Sequence, residues 1–270
     1  EWCIERDNSA IARAIKPMII LFSPSEGKNP PQDTSLNTKD TQIDALFSNA
    51  KYKQKAIDSY IQALKQCDNA TICKIFGTKT LKLEDLSLCQ NLLKTPRMPA
   101  IELYSGVAYK ALDFKNLSAD SQHFLLYNVF ICSNLFGFVR ASDNLPFYNL
   151  HQNKGFGAFE LKAIYKAQKE NMDSFLVDKA VLDLRAQAYI KVYEPEIPHL
   201  RAEFLHNGKA LSHYAKHYRG LYLKELSKHY AKDSHLNLKN LEHLTFQNLT
   251  LKDINHKNHI KTLVYEIMQK

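Results

Sequence analysis

Met18-Ile19-Ile20-Leu21-Phe22-Ser23-Pro24-Ser25-Glu26-Gly27-Lys28 passes from five apolar residues straight into a polar loop. A short, unbroken apolar run bounded by turn residues reads as a strand buried on both faces. Such strands lie at the centre of a sheet covered by helices. In α/β folds ligands collect at the C-terminal ends of these strands, where backbone N–H groups and side chains converge. This loop brings the Ser23 and Ser25 hydroxyls, the Glu26 carboxylate and the Lys28 ammonium to that place. A charged surface turn after a core strand is the plainer reading of the loop taken alone.

Three later segments have the same character. Val129-Phe130-Ile131-Cys132 breaks into Ser133-Asn134 and then, after Leu135-Phe136, into Gly137. Arg140, Asp143, Pro146 and Tyr148 lie just beyond. Val181-Leu182-Asp183-Leu184 runs into Arg185-Ala186-Gln187-Ala188-Tyr189. Tyr214-Ala215-Lys216-His217-Tyr218-Arg219-Gly220-Leu221-Tyr222 is the fourth. Read in this order, they resemble the bacterial peroxide-stress family called YaaA, over essentially Met18 to Lys270. Its pattern is a strand ending Ser-Pro-x-Lys, then Ser-Gly-Leu-Tyr-Gly-x-Leu-Arg-Pro-x-Asp with Pro-Tyr-Arg-Leu, then Asn-Leu-Ala-Ser-x-Glu-Tyr, then Ala-Lys-x-Ala-Arg-Gly-Leu. Ser23-Pro24, Lys28, Ser133, Leu135, Gly137, Arg140, Asp143, Lys216, Arg219 and Gly220 keep their places. Ala141 stands for the Pro and Asn149 for the Arg of the Tyr-Arg-Leu triplet. In a Gly-Asp-Val-Tyr stretch, Val107 stands for the Asp. The run Arg185-Ala186-Gln187-Ala188 lacks the carboxylate of Ala-Ser-x-Glu.

The resemblance and the patterning together predict a mixed α/β domain over residues 18–270. It has a central mixed sheet flanked by helices and a helical insertion at about 40–96. Glu1–Pro17 reads as a leader or vector-derived remnant, with a native helix over Ala10–Ile15 as the alternative. Helical spacing appears at Ile43, Leu46, Phe47 and Ala50, and again at Ala56, Ile57, Tyr60, Ile61 and Leu64. Short helices are expected at Thr71–Phe76 and Glu84–Leu93, around the break Gly77-Thr78-Lys79. The resemblance implies a DNA-binding helix-hairpin-helix here, offering Gly77, Thr78, Lys79 and Lys82 to phosphates. Two packed helices with an ordinary turn are the alternative. A helix is expected over Phe159–Met172. Asn207-Gly208, between Arg201–His206 and the segment from Lys209, reads as a β-hairpin turn. A helix then runs to about Lys232, and Leu244–Leu251 and Lys261–Met268 read as strands.

The 270 residues carry a formal net charge of +8 and 45% hydrophobic residues. That fits a globular core and a polyanionic partner. No run is long enough to span a bilayer, and no signal-peptide pattern appears. The expected location is the cytoplasm. Five cysteines, at positions 3, 67, 73, 89 and 132, lack paired spacing, which speaks for reduced thiols and against a disulfide framework or a zinc site. His213 and His217, or His256 and His259, have no third ligand of matched spacing, so no metal and no cofactor is expected. Walker, dinucleotide-binding and nucleophile-elbow motifs are absent.

Two function classes fit these residues. In the first, a peroxide-stress protein binds DNA through phosphate contacts, without sequence preference, and limits oxidative damage. In the second, an enzyme acts on a small anionic or nucleotide-like substrate. Its cleft would be lined by Ser23, Pro24, Lys28, Ser133, Gly137, Arg140, Tyr148, Lys216, Arg219 and Gly220, with Asp143 or Asp183 moving a proton. No membrane partner is expected, and the sequence does not fix an oligomeric state.

Overall fold

The computed structural model describes residues 16–31, 51–210 and 212–268. The first half runs β1 (Met18–Phe22), α1 (Lys51–Gln66), α2 (Asn69–Phe76), α3 (Leu83–Gln90), β2 (Arg97–Pro99), α4 (Ala100–Leu103), α5 (Val107–Leu112), α6 (Ala119–Asn128), β3 (Val129–Ser133) and β4 (Gly137–Arg140). It continues β5 (Asn144–Pro146), α7 (Leu161–Leu176), β6 (Ala180–Asp183), α8 (Gln187–Ile190), β7 (His199–Leu205), α9 (Ser212–Lys232), β8 (Leu249–Lys257) and β9 (Ile260–Ile267).

One seven-stranded sheet, in the order β4-β3-β1-β6-β7-β9-β8, organises the chain. Its five inner strands are parallel, and β4 and β8 close the edges antiparallel. β1 is buried at every position, and so is β3. Each fully buried Leu, Ile or Phe contributes about 1.5–3 kcal/mol over its exposed state, so these unbroken apolar runs are stable only in the middle. After β1 the chain adds β3 on one side and later β6 on the other. Strand order therefore reverses next to β1, and the crevice outside the C-terminal ends of β1 and β6 is the place such sheets reserve for ligands.

The mixed sheet flanked by helices agrees with the sequence expectation, and three details differ. Asn207 (φ 51°) and Gly208 (φ 71°) do form the tight turn, closed by His206 and Lys209. Its second arm enters α9 instead of a strand, and β7 pairs in parallel with β9. The strand expected at Leu244–Leu251 begins at Leu249, preceded by a 3-10 turn over Leu238–His243. The helix expected at Phe159–Met172 is α7, two residues later at its start. Glu1–Ile15 and the apolar spacing from Ile43 to Ala50 lie outside the described residues.

The helical insertion is α1 to α3. Asp68 caps α2 by accepting from Thr71 N at 2.7 Å, and Gly77 ends it in the left-handed region (φ 70°). Gly77 is required there twice over, because a Cβ would also lie 2.6 Å from the His151 ring. Gly77, Thr78, Lys79 and Lys82 are all exposed in the connection between α2 and α3.

Candidate functional site

The loop after β1 is fixed from three sides. Ser23 Oγ accepts from Ala186 N at 2.8 Å, which ties it to the loop after β6. Ser23 O accepts from the Tyr109 hydroxyl at 2.8 Å. Ser25 Oγ accepts from Gly106 N at 2.9 Å and donates to Gly27 O at 2.5 Å. The loops that make these bonds meet only because β1 and β6 are neighbours and α5 packs across their ends.

Above this frame lie two cavities. The smaller, of 270 Å³, is bounded by Ser23–Gly27, Gly106–Ala108 and Tyr189. The larger, of 430 Å³, is bounded by Arg185, Arg201, Glu203 and Ala188 among others. Gln152, Ala186, Lys216 and Arg219 line both, so the two are compartments of one groove across the ends of β1, β6 and β7. Lys216 is exposed on α9. Arg219, one turn on, leaves its Nε buried without a hydrogen-bond partner. Burial lowers the Arg219 pKa against the opposing pull of Asp183 and Glu203. A guanidinium stays charged even so, and this one is short of anionic contacts.

Asp183 and Arg185 form the floor. Arg185 Nε and Nη2 reach the two Asp183 oxygens at 2.9 and 2.8 Å, and both side chains are fully buried. Arg201 Nη2 approaches Asp183 at 3.6 Å and Glu194 at 3.0 Å. Burial pushes the Asp183 pKa up, but the Arg185 charge and hydrogen bonds outweigh it and the net shift is downward. Asp183 is thus a fixed anion beneath the groove. With both oxygens engaged by a cation, it does not fit the proton carrier expected from the sequence.

Of the residues assigned to a cleft from sequence, Ser23, Pro24, Lys216 and Arg219 line the groove. The others do not. Arg140 pairs with Phe130 and Gly137 with Ser133, so β4 carries Arg140 about 10 Å back toward the N-terminal edge of the parallel strands. Asp143 goes with it and accepts from Arg140 N at 2.8 Å. The Arg140 guanidinium lies 5.3 Å from the Phe130 ring. Gly137 (φ 71°) makes the tight turn before β4, under Gln168. Gly220 presses α9 onto the α5 backbone. Ser133 and Tyr148 are wholly buried, joined at 3.0 Å, with Tyr148 continuing to Tyr104 at 2.8 Å and Asn134 at 2.8 Å.

Lys28 lies under the loop rather than in the groove. Its Nζ sits 4.3 Å from the Tyr148 ring centre and donates to Ser25 O at 3.2 Å and Glu26 O at 3.1 Å. Burial pulls its pKa down to about 7, with Cys89 and Glu26 pulling the other way. The unfolded chain, with an ordinary lysine pKa near 10.4, binds more protons than the folded one between those values, so stability rises with pH across that window. Urea melts of the parent protein are expected to show this rise between about pH 7 and 10, and Lys28→Met is expected to flatten it. An unchanged slope in the variant would remove Lys28 as its source.

Sequence reasoning missed Gln152, Arg201 and Glu203. Arg201 and Glu203 carried a weak signal, since they alternate with buried Leu200, Ala202 and Phe204 in β7. Gln152 sits in an irregular loop and carried none. The same loop joins the groove to the α2–α3 connection: His151 packs on Gly77, and its Nε2 lies 3.1 Å from Glu26 Oε1. Among the described residues no cluster of His, Cys, Asp and Glu has the geometry to hold a metal ion.

Comparison with known proteins gives consistent results. The family model described as peroxide stress protein YaaA matches residues 18–253. An uncharacterized protein of Campylobacter jejuni is 37% identical over 253 residues, covering 93% of this chain and 100% of that protein. A UPF0246 protein of Corynebacterium efficiens is 32% identical over 213 residues, covering 75% of this chain and 82% of that protein. One from Streptomyces coelicolor is 27% identical over 220 residues, covering 77% and 82%.

Proposed function

We propose, for a chain that belongs to the peroxide stress protein YaaA family, a cytoplasmic stress protein that binds DNA phosphates in the groove and shields the nucleic acid from oxidative damage. The observation that carries this reading is the shared wall of the two compartments, where Lys216 and Arg219 stand together with Arg201 close by. Arg219 is a cation short of an anion, in a cavity that a phosphate can enter.

Two departures from the family pattern strengthen it. Val107 and Ala188 stand where the pattern has Asp and Glu, and both line the groove. Each replacement removes a negative charge from a surface that would otherwise repel phosphate. The same replacements weigh against acid–base chemistry, which needs a positioned proton carrier. Asp143 lies at the far edge of the sheet and Asp183 is locked to Arg185. Thiol chemistry at Cys89 and Cys132 is also poorly served, because burial pushes both thiols up to about 11 and the thiolate is the reactive form. Shielding the target fits these residues better than consuming the oxidant. No helix among the described residues is long and apolar enough to cross a membrane.

The connection between α2 and α3 would extend the phosphate track. Its Lys79 and Lys82 are exposed, and Gly77 meets the groove's rim through His151 and Glu26.

The test is a salt titration of duplex DNA binding. Each lost phosphate contact lowers the slope of log K against log salt by about 0.9. Lys216→Ala with Arg219→Ala is expected to reduce the slope by about 2 and weaken binding at least tenfold near 100 mM salt. Lys79→Ala with Lys82→Ala is expected to do the same more mildly. Parallel thermal melts separate loss of binding from loss of fold. Affinity and slope unchanged in the Lys216/Arg219 pair would sink the groove as the DNA site.

A further inference from the structure

A second basic cavity lies at the opposite edge of the same sheet. It occupies 610 Å³ at the N-terminal ends of β6, β7 and β9, which begin at Ala180, His199 and Ile260. Lys16, Lys179, Lys239 and Lys261 line it, together with three histidines, His199, His256 and His259. Among the described residues no carboxylate is in its lining. Asp178 pairs with Lys179 at 2.5 Å, and Glu242 pairs with Lys261. Four lysines against two carboxylates leave a surplus of positive charge. Lys16 and Lys239, both exposed, carry it.

His199 makes this more than a basic surface. It is only 5% exposed, and its Nδ1 lies 2.9 Å from Ile197 O. A carbonyl only accepts, so Nδ1 carries the proton and Nε2 of the neutral ring is a bare lone pair. That Nε2 lies just behind the cavity wall, buried and without a hydrogen-bond partner among the described residues, so a ligand reaches it with a small shift of the ring or the wall. An unmet buried polar atom costs about 1–3 kcal/mol, a cost that a donor from a ligand would relieve. The ring of His259 stands 5.7 Å from that of His199 and turns its Nε2 away, to Pro195 O at 3.0 Å. Burial lowers the His199 pKa, the hydrogen bond to Ile197 O and the charge of Asp183 oppose this, and the charges of Arg201 and His259 add to the lowering. His199 is therefore neutral around pH 7.

A ligand for this place needs negative charge for the lysines and an O–H donor for the lone pair. We propose that the cavity binds a small phosphate-class anion, inorganic phosphate or a phosphomonoester, whose P–OH donates to His199 Nε2. A phosphodiester backbone has the charge but no P–OH. The same holds for sulfate, which makes sulfate the useful counter-probe.

The two anions behave differently with pH. Sulfate remains a dianion without a proton, so His199 holds it only after taking up a proton itself. One proton taken up on binding means affinity rises by up to about tenfold for each unit that pH falls. Hydrogen phosphate at about pH 8 already brings its proton. Calorimetric titration at low ionic strength is expected to show phosphate binding at least roughly tenfold tighter than sulfate at about pH 8, with the gap closing by about pH 6. His199→Phe is expected to abolish the gap at the higher pH. Lys16→Ala with Lys239→Ala changes exposed residues only. It is expected to weaken both anions about tenfold with an unchanged melting temperature.

Several results would overturn the proposal. One is no binding of either anion to the parent protein. Another is equal affinities at the higher pH. A third is a pH dependence of sulfate binding that survives His199→Phe, which would assign it to His256 and His259. A fourth is an oligonucleotide lacking terminal phosphates that displaces sulfate where phosphate does not, which would make the ligand a phosphodiester. Because the cavity is on the other edge of the sheet, none of these results bears on Lys216 or Arg219 in the groove.

Discussion

Asp183→Asn is expected to lower the melting temperature by roughly 10 °C. The substitution is nearly isosteric, so the loss comes from the missing charge and from an amide donor that replaces one of the two oxygens accepting from Arg185. It leaves the Arg185 guanidinium fully buried with no anion bonded to it, since Asp183 supplies both of its charged contacts. Breaking one side of a buried ion pair typically destabilises by about 3–5 kcal/mol. For a chain of this size each kcal/mol moves the midpoint by about 2–4 °C. The double variant Asp183→Asn with Arg185→Ala is expected to recover part of the loss, since the buried Arg185 charge is gone while Arg201 and Arg219 still lack the Asp183 anion. These are the residue types that the Asn-Leu-Ala-Ser pattern carries at both positions. The two departures in this chain thus meet in one contact, a buried anion against a buried cation.

The pH dependence carries a definite sign. The folded pKa of Asp183 is depressed, so its stabilisation is fully present above the unfolded value of about 3.9 and is lost as pH falls through the folded value. The difference between parent and Asp183→Asn should be constant from about pH 6 to 8 and should shrink only in acid. A single variant that melts within about 2 °C of the parent would show that Arg185 is held by something other than this pair. A double variant no better than the single would show that the two residues are not coupled.

The strands were legible where burial decided the pattern. Residues 18–22, 129–132 and 180–182 are continuous apolar runs because both faces of these strands are covered. Local turn chemistry was legible too: Asn207-Gly208 makes its turn. The pairing of the strand before that turn was not legible. β7 pairs with β9, which begins only at Ile260, and nothing local specifies so distant a partner. The groove divides along the same line. Ser23, Lys216 and Arg219 sit beside strand ends or a motif glycine, and the structure brings them to one groove. Arg140 and Asp143 lie near the end of β3 in sequence but not in space. Gly137 turns the chain back, and the antiparallel strand Gly137–Arg140 carries Arg140 to the other edge of the sheet. Gly220 was assigned to a ligand because nothing in its own segment reveals that α5 lies against it.

Gly220→Ala therefore tests packing and site together. In an ordinary helix the change would stabilise by up to about 1 kcal/mol through propensity. Here the added Cβ would lie 2.0 Å from Ala108 O and 2.8 Å from Ala108 C. Those are backbone atoms of α5 and cannot rotate away, so α9 and α5 must separate. Overpacking costs about 1–3 kcal/mol and sometimes more, and an overlap with backbone belongs at the upper end. The net expectation is a loss of about 2 kcal/mol, with the propensity gain already subtracted. The displacement also has a direction. Gly106 and Val107, at the start of α5, wall the smaller compartment, and Gly106 N holds Ser25 Oγ at 2.9 Å. Moving α5 loosens the loop after β1, so anion binding in the groove should weaken beyond what the stability loss explains, measured well below the melting point. Gly157→Ala is the matched control. Gly157 has φ 56° but nothing within 4 Å of a new Cβ, so only the left-handed backbone penalty of about 1–2 kcal/mol applies and the groove is untouched. If Gly220→Ala melts with the parent and binds as well, the close approach of the two helices has no energetic weight. If it destabilises but binds normally, α5 positions nothing in the groove, and Ser25 is held by its own loop.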